Sequence, residues 1–290
     1  MDKSTSISEL SNMISIYSDI DEVNIDGEIY NGVMSRPRKE LSQWLYCVLH
    51  AGNPKLLNNN YAENNDLEKT IDSILPNINI STPVRSIKFH DREFAEVNGV
   101  RVESNIKNRS VELPSKRPHL TPGFFMFIAT NEIGKYRHYI GVDNPEDAIR
   151  IWTKSIDTLL SLNVSFSTKL LSQRNSYPRN DAIVFYSNKD SKIVEKVLIS
   201  MVEDIPISSK GIHGSPFTMP ISNTLTYGEQ PVDKKGIRQS LGEQRTELIA
   251  LAIRDSFTTG INFNDLLAQR FKLANINLQN IAKNWIEGIV

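Results

Sequence analysis

Six side chains between residues 137 and 245 carry chemistry suited to an anion. Arg137 and Tyr139 stand two residues apart in KYRHYIGV, a stretch that alternates like a strand. Arg137, Tyr139 and Gly141 take one face of it, and His138, Ile140 and Val142 the other. Lys169 lies in VSFSTKLL, where Ser165, Ser167 and Lys169 share a face. Arg179 sits in YPRND, Tyr186 closes AIVFY, and Arg245 falls in the first turns of SLGEQRTELIALAIRD. If residues 136–142, 164–171 and 182–186 belong to one sheet, then Arg137, Tyr139, Lys169 and Tyr186 all point to one side of it. Guanidinium forks bind phosphate through paired N–H donors, and a lysine desolvated among cations gives up its proton and becomes a base. Each residue also has a plain explanation. A single arginine or lysine is most often a solvated surface charge, and a tyrosine a core ring with a wet hydroxyl. Spacing alone leaves both readings open.

Composition narrows the classes. The 290 residues hold 33 Lys+Arg against 34 Asp+Glu, a formal charge of −1. A near-neutral chain makes no electrostatic case for nucleic acid or an anionic membrane surface, so any anion site is a local cluster. The single cysteine, Cys47, excludes an intrachain disulfide and a multi-thiolate metal site, and within QWLYCVLH it reads as a small core residue. The five histidines, His50, His90, His119, His138 and His213, form no HExxH pair. There is no GxxxxGK[ST], no GxGxxG after a strand and no GxSxG, so neither a metal nor a nucleotide cofactor is expected. No apolar run approaches the roughly 20 residues of a membrane span. The Ser-rich opening MDKSTSISELSNM has no long apolar core; the simplest reading is a soluble cytoplasmic protein, and the alternative an export signal of another kind.

The elements that must position these residues follow from periodicity. Ile7, Leu10, Ile14 and Tyr17 predict a helix over 6–20, and Asp26-Gly27 and Asn31-Gly32 a short hairpin over 23–33. A second helix runs from Pro37 to His50, burying Leu41, Trp44, Leu45, Val48 and Leu49. The Asn-rich 58–65 predicts a loop, and 66–75 a short helix behind Asp66. Weak periodicity over 84–122 predicts irregular structure with short strands. GFFMFIATN and KYRHYIGV read as a hairpin. Asn144 caps a helix with Pro145 at its first position. Strands follow at 164–171 and 182–186, a helix at 190–203 and a Gly/Pro-rich loop at 206–236. Ser240 and Glu243 form a capping box that starts a helix, and the C-terminus adds one or two more, including a last helix over 275–287. The fold class is α+β: a mostly antiparallel twisted sheet flanked by helices. An N-terminal helical region over 1–80 packs on an α+β core over 81–290.

From about residue 123 to 255 the motifs, in order, resemble the HopA family. They are Arg137-His138-Tyr139, the proline-started helix, Phe166-Ser167-Thr168-Lys169, Tyr177-Pro178-Arg179-Asn180-Asp181 leading into AIVFY, Pro216-Phe217-Thr218, and Ser240-Leu241-Gly242-Glu243-Gln244-Arg245. Met219 departs from the pattern, which has lysine there. The family takes its name from a type III effector of plant-pathogenic bacteria and includes the lyase component of class V lanthipeptide and thioamitide biosynthesis, which resembles phosphothreonine lyases. The resemblance implies β-elimination of phosphate from phosphoserine or phosphothreonine in a peptide, giving dehydroalanine or dehydrobutyrine. It implies Lys169 as general base, Tyr139 as general acid, and Arg137, Arg179, Arg245 and Tyr186 around the phosphate, with no cofactor. The implied partners are a phosphorylated peptide and a partner kinase. The alternative is a secreted effector or pseudo-lyase that acts by binding a host or partner protein.

Overall fold

The computed structural model describes residues 5–58, 67–89, 92–97, 100–103, 109–132, 134–204, 214–232 and 239–285. The chain begins with helix α1 (Ile7–Asn12) and strands β1 (Ser15–Tyr17), β2 (Glu22–Ile25) and β3 (Glu28–Asn31). Helix α2 (Arg38–Leu45) then widens to i→i+5 bonding over Tyr46–Ala51, and α3 (Glu68–Ile74) follows. Next come β4 (Asn79–Pro83), β5 (Arg85–Phe89), β6 (Arg92–Val97), β7 (Val100–Glu103) and β8 (Ser110–Pro114). The core elements are β9 (Lys116–Thr121), β10 (Phe124–Ile128), β11 (Tyr136–Val142), α4 (Pro145–Ser161), β12 (Phe166–Leu171), β13 (Arg179–Ser187), α5 (Ser191–Asp204), β14 (Met219–Pro220) and β15 (Leu225–Glu229). Helices α6 (Leu241–Thr259) and α7 (Phe263–Leu273) close the described chain.

Seven antiparallel strands in the order β14-β15-β11-β13-β12-β10-β9 make the central sheet. On one face Phe127, Ile140, Phe166, Ile183 and Phe185 pack against Trp152, Ile156 and Leu159 of α4 and Val194 and Leu198 of α5. Trp152 is fully buried; its Nε1 donates to Thr168 Oγ1 at 2.8 Å, and that hydroxyl donates to the Val184 carbonyl at 2.9 Å, so the indole is satisfied as burial demands. A second core joins Leu10, Leu41, Trp44, Leu45 and Leu49 to Phe217, Leu241, Ile249, Ile253, Leu267 and Phe271. The N-terminal residues thus share a core with α6 and α7.

Several expectations are corrected. GFFMFIATN and KYRHYIGV do not form a hairpin: β10 pairs with β9 and β12, β11 with β13 and β15, and two strands separate them. The predicted helix over 6–20 stops at Asn12, because the alternation Ser15-Ile16-Tyr17 pairs with β2. The 23–33 hairpin is present, extended by that strand into a three-stranded sheet. The predicted 206–236 loop hides β15, whose LTYGE alternates between turn residues and pairs with β11. The stretch 275–285 is turns closed by an Ile276–Asn284 bridge rather than a helix; its Asn277 and Asn280 side chains accept from the Gln279 and Ala282 N–H groups. The strand ending at Tyr186 starts at Arg179, three residues earlier than expected, so that Arg179 and Asp181 are strand residues. The 84–122 region is richer in strand than its periodicity suggests. Most of the 58–65 loop, Asp66 and the end of the predicted last helix lie outside the described residues.

Candidate functional site

Cross-strand register builds the site. Paired residues share a face, so Met126, Lys169, Val184, Tyr139 and Thr226 form one row across five strands. Ile128, Ser167, Tyr186, Arg137 and Gly228 form the next row. Arg137, Tyr139, Lys169 and Tyr186 therefore occupy one patch, as the alternation predicts, on the face opposite α4 and α5. His138 points to the other face, where its Nε2 lies 3.5 Å from Glu195.

The patch is roofed by the turn after α2 and the first turn of α6. Tyr46 and His50 descend from that turn, and Asn180 Nδ2 donates to the His50 carbonyl at 3.2 Å. Gly242 permits the approach of α6: a Cβ there would stand 2.3 Å from His50 Cδ2 and 2.7 Å from Tyr46 Cε2. Gly242→Ala is therefore expected to destabilise the protein by about 1–3 kcal/mol, since two packed rings must give way. This exceeds the gain of about 1 kcal/mol in helix propensity, and a urea unfolding midpoint measures the net.

Asp181 is the hub. It is buried and accepts two hydrogen bonds from Arg179, Nε to Oδ1 at 2.7 Å and Nη2 to Oδ2 at 2.8 Å. The Tyr46 hydroxyl donates to Oδ2 at 2.9 Å, and His50 Nε2 lies 3.9 Å from the same oxygen. Burial favours the neutral acid, but Arg179, His50 and Lys169 override it and hold the carboxyl below its usual range. His50 bonds to Ser215 Oγ through Nδ1 at 3.0 Å; burial lowers its pKa to about 4, so the imidazole is neutral at pH 7.

Lys169 is half-buried, with its amine 3.7 Å from the centre of the Phe124 ring. The Arg179 guanidinium stacks over that ring too, at 5.2 Å. Among the described residues no acceptor lies within hydrogen-bond or ion-pair distance of the amine. Burial lowers its pKa to about 8; Asp181 opposes this, and Arg179 and Arg137 add to it. Tyr139 is 3% exposed, and its hydroxyl has no hydrogen-bond partner of good geometry, although Arg137 is close enough to act on its charge. Burial dominates and raises its pKa to about 12, which keeps the phenol protonated.

The arginines differ in what holds them. Arg137 lies over the Tyr186 ring at 5.1 Å and donates through Nε, at 2.8 Å, and Nη2 to the Gln230 side-chain oxygen. Arg179 is paired with Asp181. Arg245 is fully buried and donates from Nε and Nη2 to the Ile281 carbonyl, at 3.3 and 3.0 Å, and from Nη1 to Gln244. Burial lowers its pKa to about 9. The structure therefore brings Lys169 together with Arg137, Arg179, Tyr139 and Tyr186, and sets Arg245 in the α6 roof as an anchor for the C-terminal turn. Met219 pairs with Tyr227, which pairs with His138, so the register assigns position 219 to the His138 face. Its departure from the family pattern takes no cation from the Lys169 face. The sequence reading missed Tyr46, His50, Asp181, Ser215 and Gln230. The i, i+4 spacing of Tyr46 and His50 was the available signal, because it sets both on one helix face.

Sheet, helical roof and buried cations define an α+β protein with a cluster of polar and charged side chains between its layers. The model of the HopA1 effector protein family matches residues 115–283, more than half of the chain, and the chain belongs to that family. Two solved structures are similar. An effector protein from Pseudomonas syringae pv. tomato strain DC3000 is 20% identical, with 58% of this chain and 67% of that chain covered and a TM-score of 0.42. One from Pseudomonas syringae pv. syringae strain 61 is 15% identical, with 79% and 84% covered and a TM-score of 0.46. A search of curated proteins finds no match.

Proposed function

We propose that the cluster β-eliminates phosphate from phosphoserine or phosphothreonine in a peptide. The observation that carries this reading is the Lys169 amine, which meets no acceptor among the described residues and is kept short of full protonation, on the same face as the buried Tyr139 hydroxyl, which has no hydrogen bond of good geometry. Lys169 takes the α-proton, the electron pair becomes the Cα=Cβ bond, and the Cβ–O bond breaks toward phosphate. Tyr139 protonates the leaving oxygen. Arg137 neutralises the phosphate charge, and Arg179 adds to the positive field that lowers the Lys169 pKa. Tyr186 supports the Arg137 guanidinium from beneath its plane. The reaction uses no cofactor.

One observation favours a second reading, in which the chain is a secreted effector that binds a host or partner protein without catalysis. Arg179 and Arg245 already have internal acceptors, so much of the cluster's charge is spent within the protein. Incubation with a phosphothreonine peptide separates the two. The lyase reading expects a product lighter by the elements of phosphoric acid that adds thiols at the new double bond. Recovery of intact phosphopeptide, with or without complex formation, rejects it.

A further inference from the structure

Arg137 and Arg245 each donate to a neutral amide oxygen, that of Gln230 and of Gln244, but of these two only Arg137 keeps any exposure. Arg179 is forked onto a buried carboxylate, a charge-assisted pair that a phosphate dianion would have to displace against repulsion from Asp181. Arg245 is sealed from solvent. Arg137 instead gives two N–H groups to one amide oxygen of Gln230. That oxygen occupies the position a phosphate oxygen takes at a guanidinium fork.

Gln230 is built to move its side chain alone. Its main-chain N–H donates to the Lys135 carbonyl at 2.8 Å, and its carbonyl accepts from Asn284 Nδ2 at 2.9 Å. The side-chain Nε2 donates to the Gln239 carbonyl at 3.3 Å, which fixes the amide's orientation with oxygen toward Arg137. The residue is only half-buried, so a displaced carboxamide meets water and is not left unsatisfied. Tyr139, next to Arg137 on the same face, carries a buried hydroxyl that has no hydrogen bond of good geometry and feels the Arg137 charge. A phosphate replacing the amide at Arg137 would give that hydroxyl an acceptor.

We infer that Arg137 is the seat of the substrate phosphate and that the Gln230 carboxamide holds this seat in the resting protein until a phosphorylated ligand displaces it. The inference rests on the phosphate-site reading and adds a built-in competitor to it. The competitor discriminates: a neutral serine or threonine hydroxyl gains too little at the fork to displace an amide, whereas a dianion gains a charge-assisted pair.

The test is calorimetric titration of the full chain with inorganic phosphate, and with a phosphothreonine peptide and its unphosphorylated form. Gln230→Ala should bind phosphate about tenfold more tightly than wild type, the equivalent of one to two competing neutral hydrogen bonds. Gln230→Glu should bind it at least about tenfold more weakly, because its carboxylate pairs with the fork. Thermal melts confirm that both variants are folded, and the shorter Gln230→Asn should lie between wild type and alanine. Unchanged or weaker phosphate binding by Gln230→Ala overturns the inference, as does a Gln230→Glu protein with wild-type affinity. Elimination is scored separately by mass. A Gln230→Ala protein that binds more tightly yet eliminates nothing upholds the inference and defeats the lyase reading. One that eliminates normally without tighter binding does the reverse.

Discussion

Lys169→Ala is expected to lower phosphate elimination by about 10²–10⁴-fold, the usual contribution of a positioned proton-transfer group, and to leave the fold intact. Only the neutral amine can accept the α-proton. With its pKa near 8, the wild-type rate should climb as pH rises through that value and level off above it. Lys169→Arg is the sharper control: it keeps a cation over Phe124, should retain phosphate affinity, and should lose elimination as completely as alanine. Stability should rise with pH as activity does. The folded pKa lies below the unfolded value of about 10.4, so the unfolded chain binds the proton more readily between the two. Stability therefore rises with pH across that window, and at pH 7 the lysine is a burden. Lys169→Met, which removes the charge and keeps the length, should melt higher than wild type at pH 7. A lower melting temperature, or a pH–rate profile flat through pH 8, contradicts the assignment.

The largest effect on stability is expected at Asp181. Asp181→Ala removes the acceptor of both Arg179 and Tyr46 and leaves a buried guanidinium without its carboxylate. Removing one partner of a buried ion pair costs about 3–5 kcal/mol, mostly because the remaining charge stays buried. Replacing both members, Arg179→Met with Asp181→Leu, should recover much of that loss while abolishing the Tyr46 contact. Denaturant unfolding of the two single variants and the double variant measures the coupling. The acid limb gives a second check. Because the folded carboxyl is held below its usual range, its stabilisation is complete above about pH 4 and is lost as pH falls through the folded value. Asp181→Asn should flatten that part of the stability profile.

Which side chains share a sheet face was more legible in the sequence than the order of the strands. Period-two alternation fixes which side chains share a face once strands pair, and KYRHYIGV and VSFSTKLL are long enough for that to be unambiguous. Helices with explicit caps were equally readable: Asn144 accepts from the Asp147 N–H at 2.9 Å, and Ser240 and Glu243 form the reciprocal capping box. Strand order was not readable, because β10 and β11 are adjacent in sequence while long-range pairing inserts β12 and β13 between them. Local periodicity carries no information about that choice. Gln230 was invisible for a similar reason. It lies in a polar stretch after a short strand, and only the β11–β15 pairing brings it to Arg137. Asp181 falls in a recognised motif whose Pro, Asn and Asp predict a loop, and the register irregularity between Ile140 and Val142 breaks the alternation at that end of β13. His50 and Tyr46 were read as the end of an apolar helix, where composition predicts packing; the neighbouring Asp181 and Ser215 give them polar work instead.

Everything proposed for catalysis turns on one amine being poised to shed its proton near neutral pH. Side-chain NMR of the Lys169 ammonium, assigned by comparison with Lys169→Arg and followed from pH 6 to 11, reads this directly. The account predicts a midpoint near 8, moving upward when phosphate occupies Arg137. A midpoint at the ordinary lysine value of about 10.4, indifferent to phosphate, contradicts it.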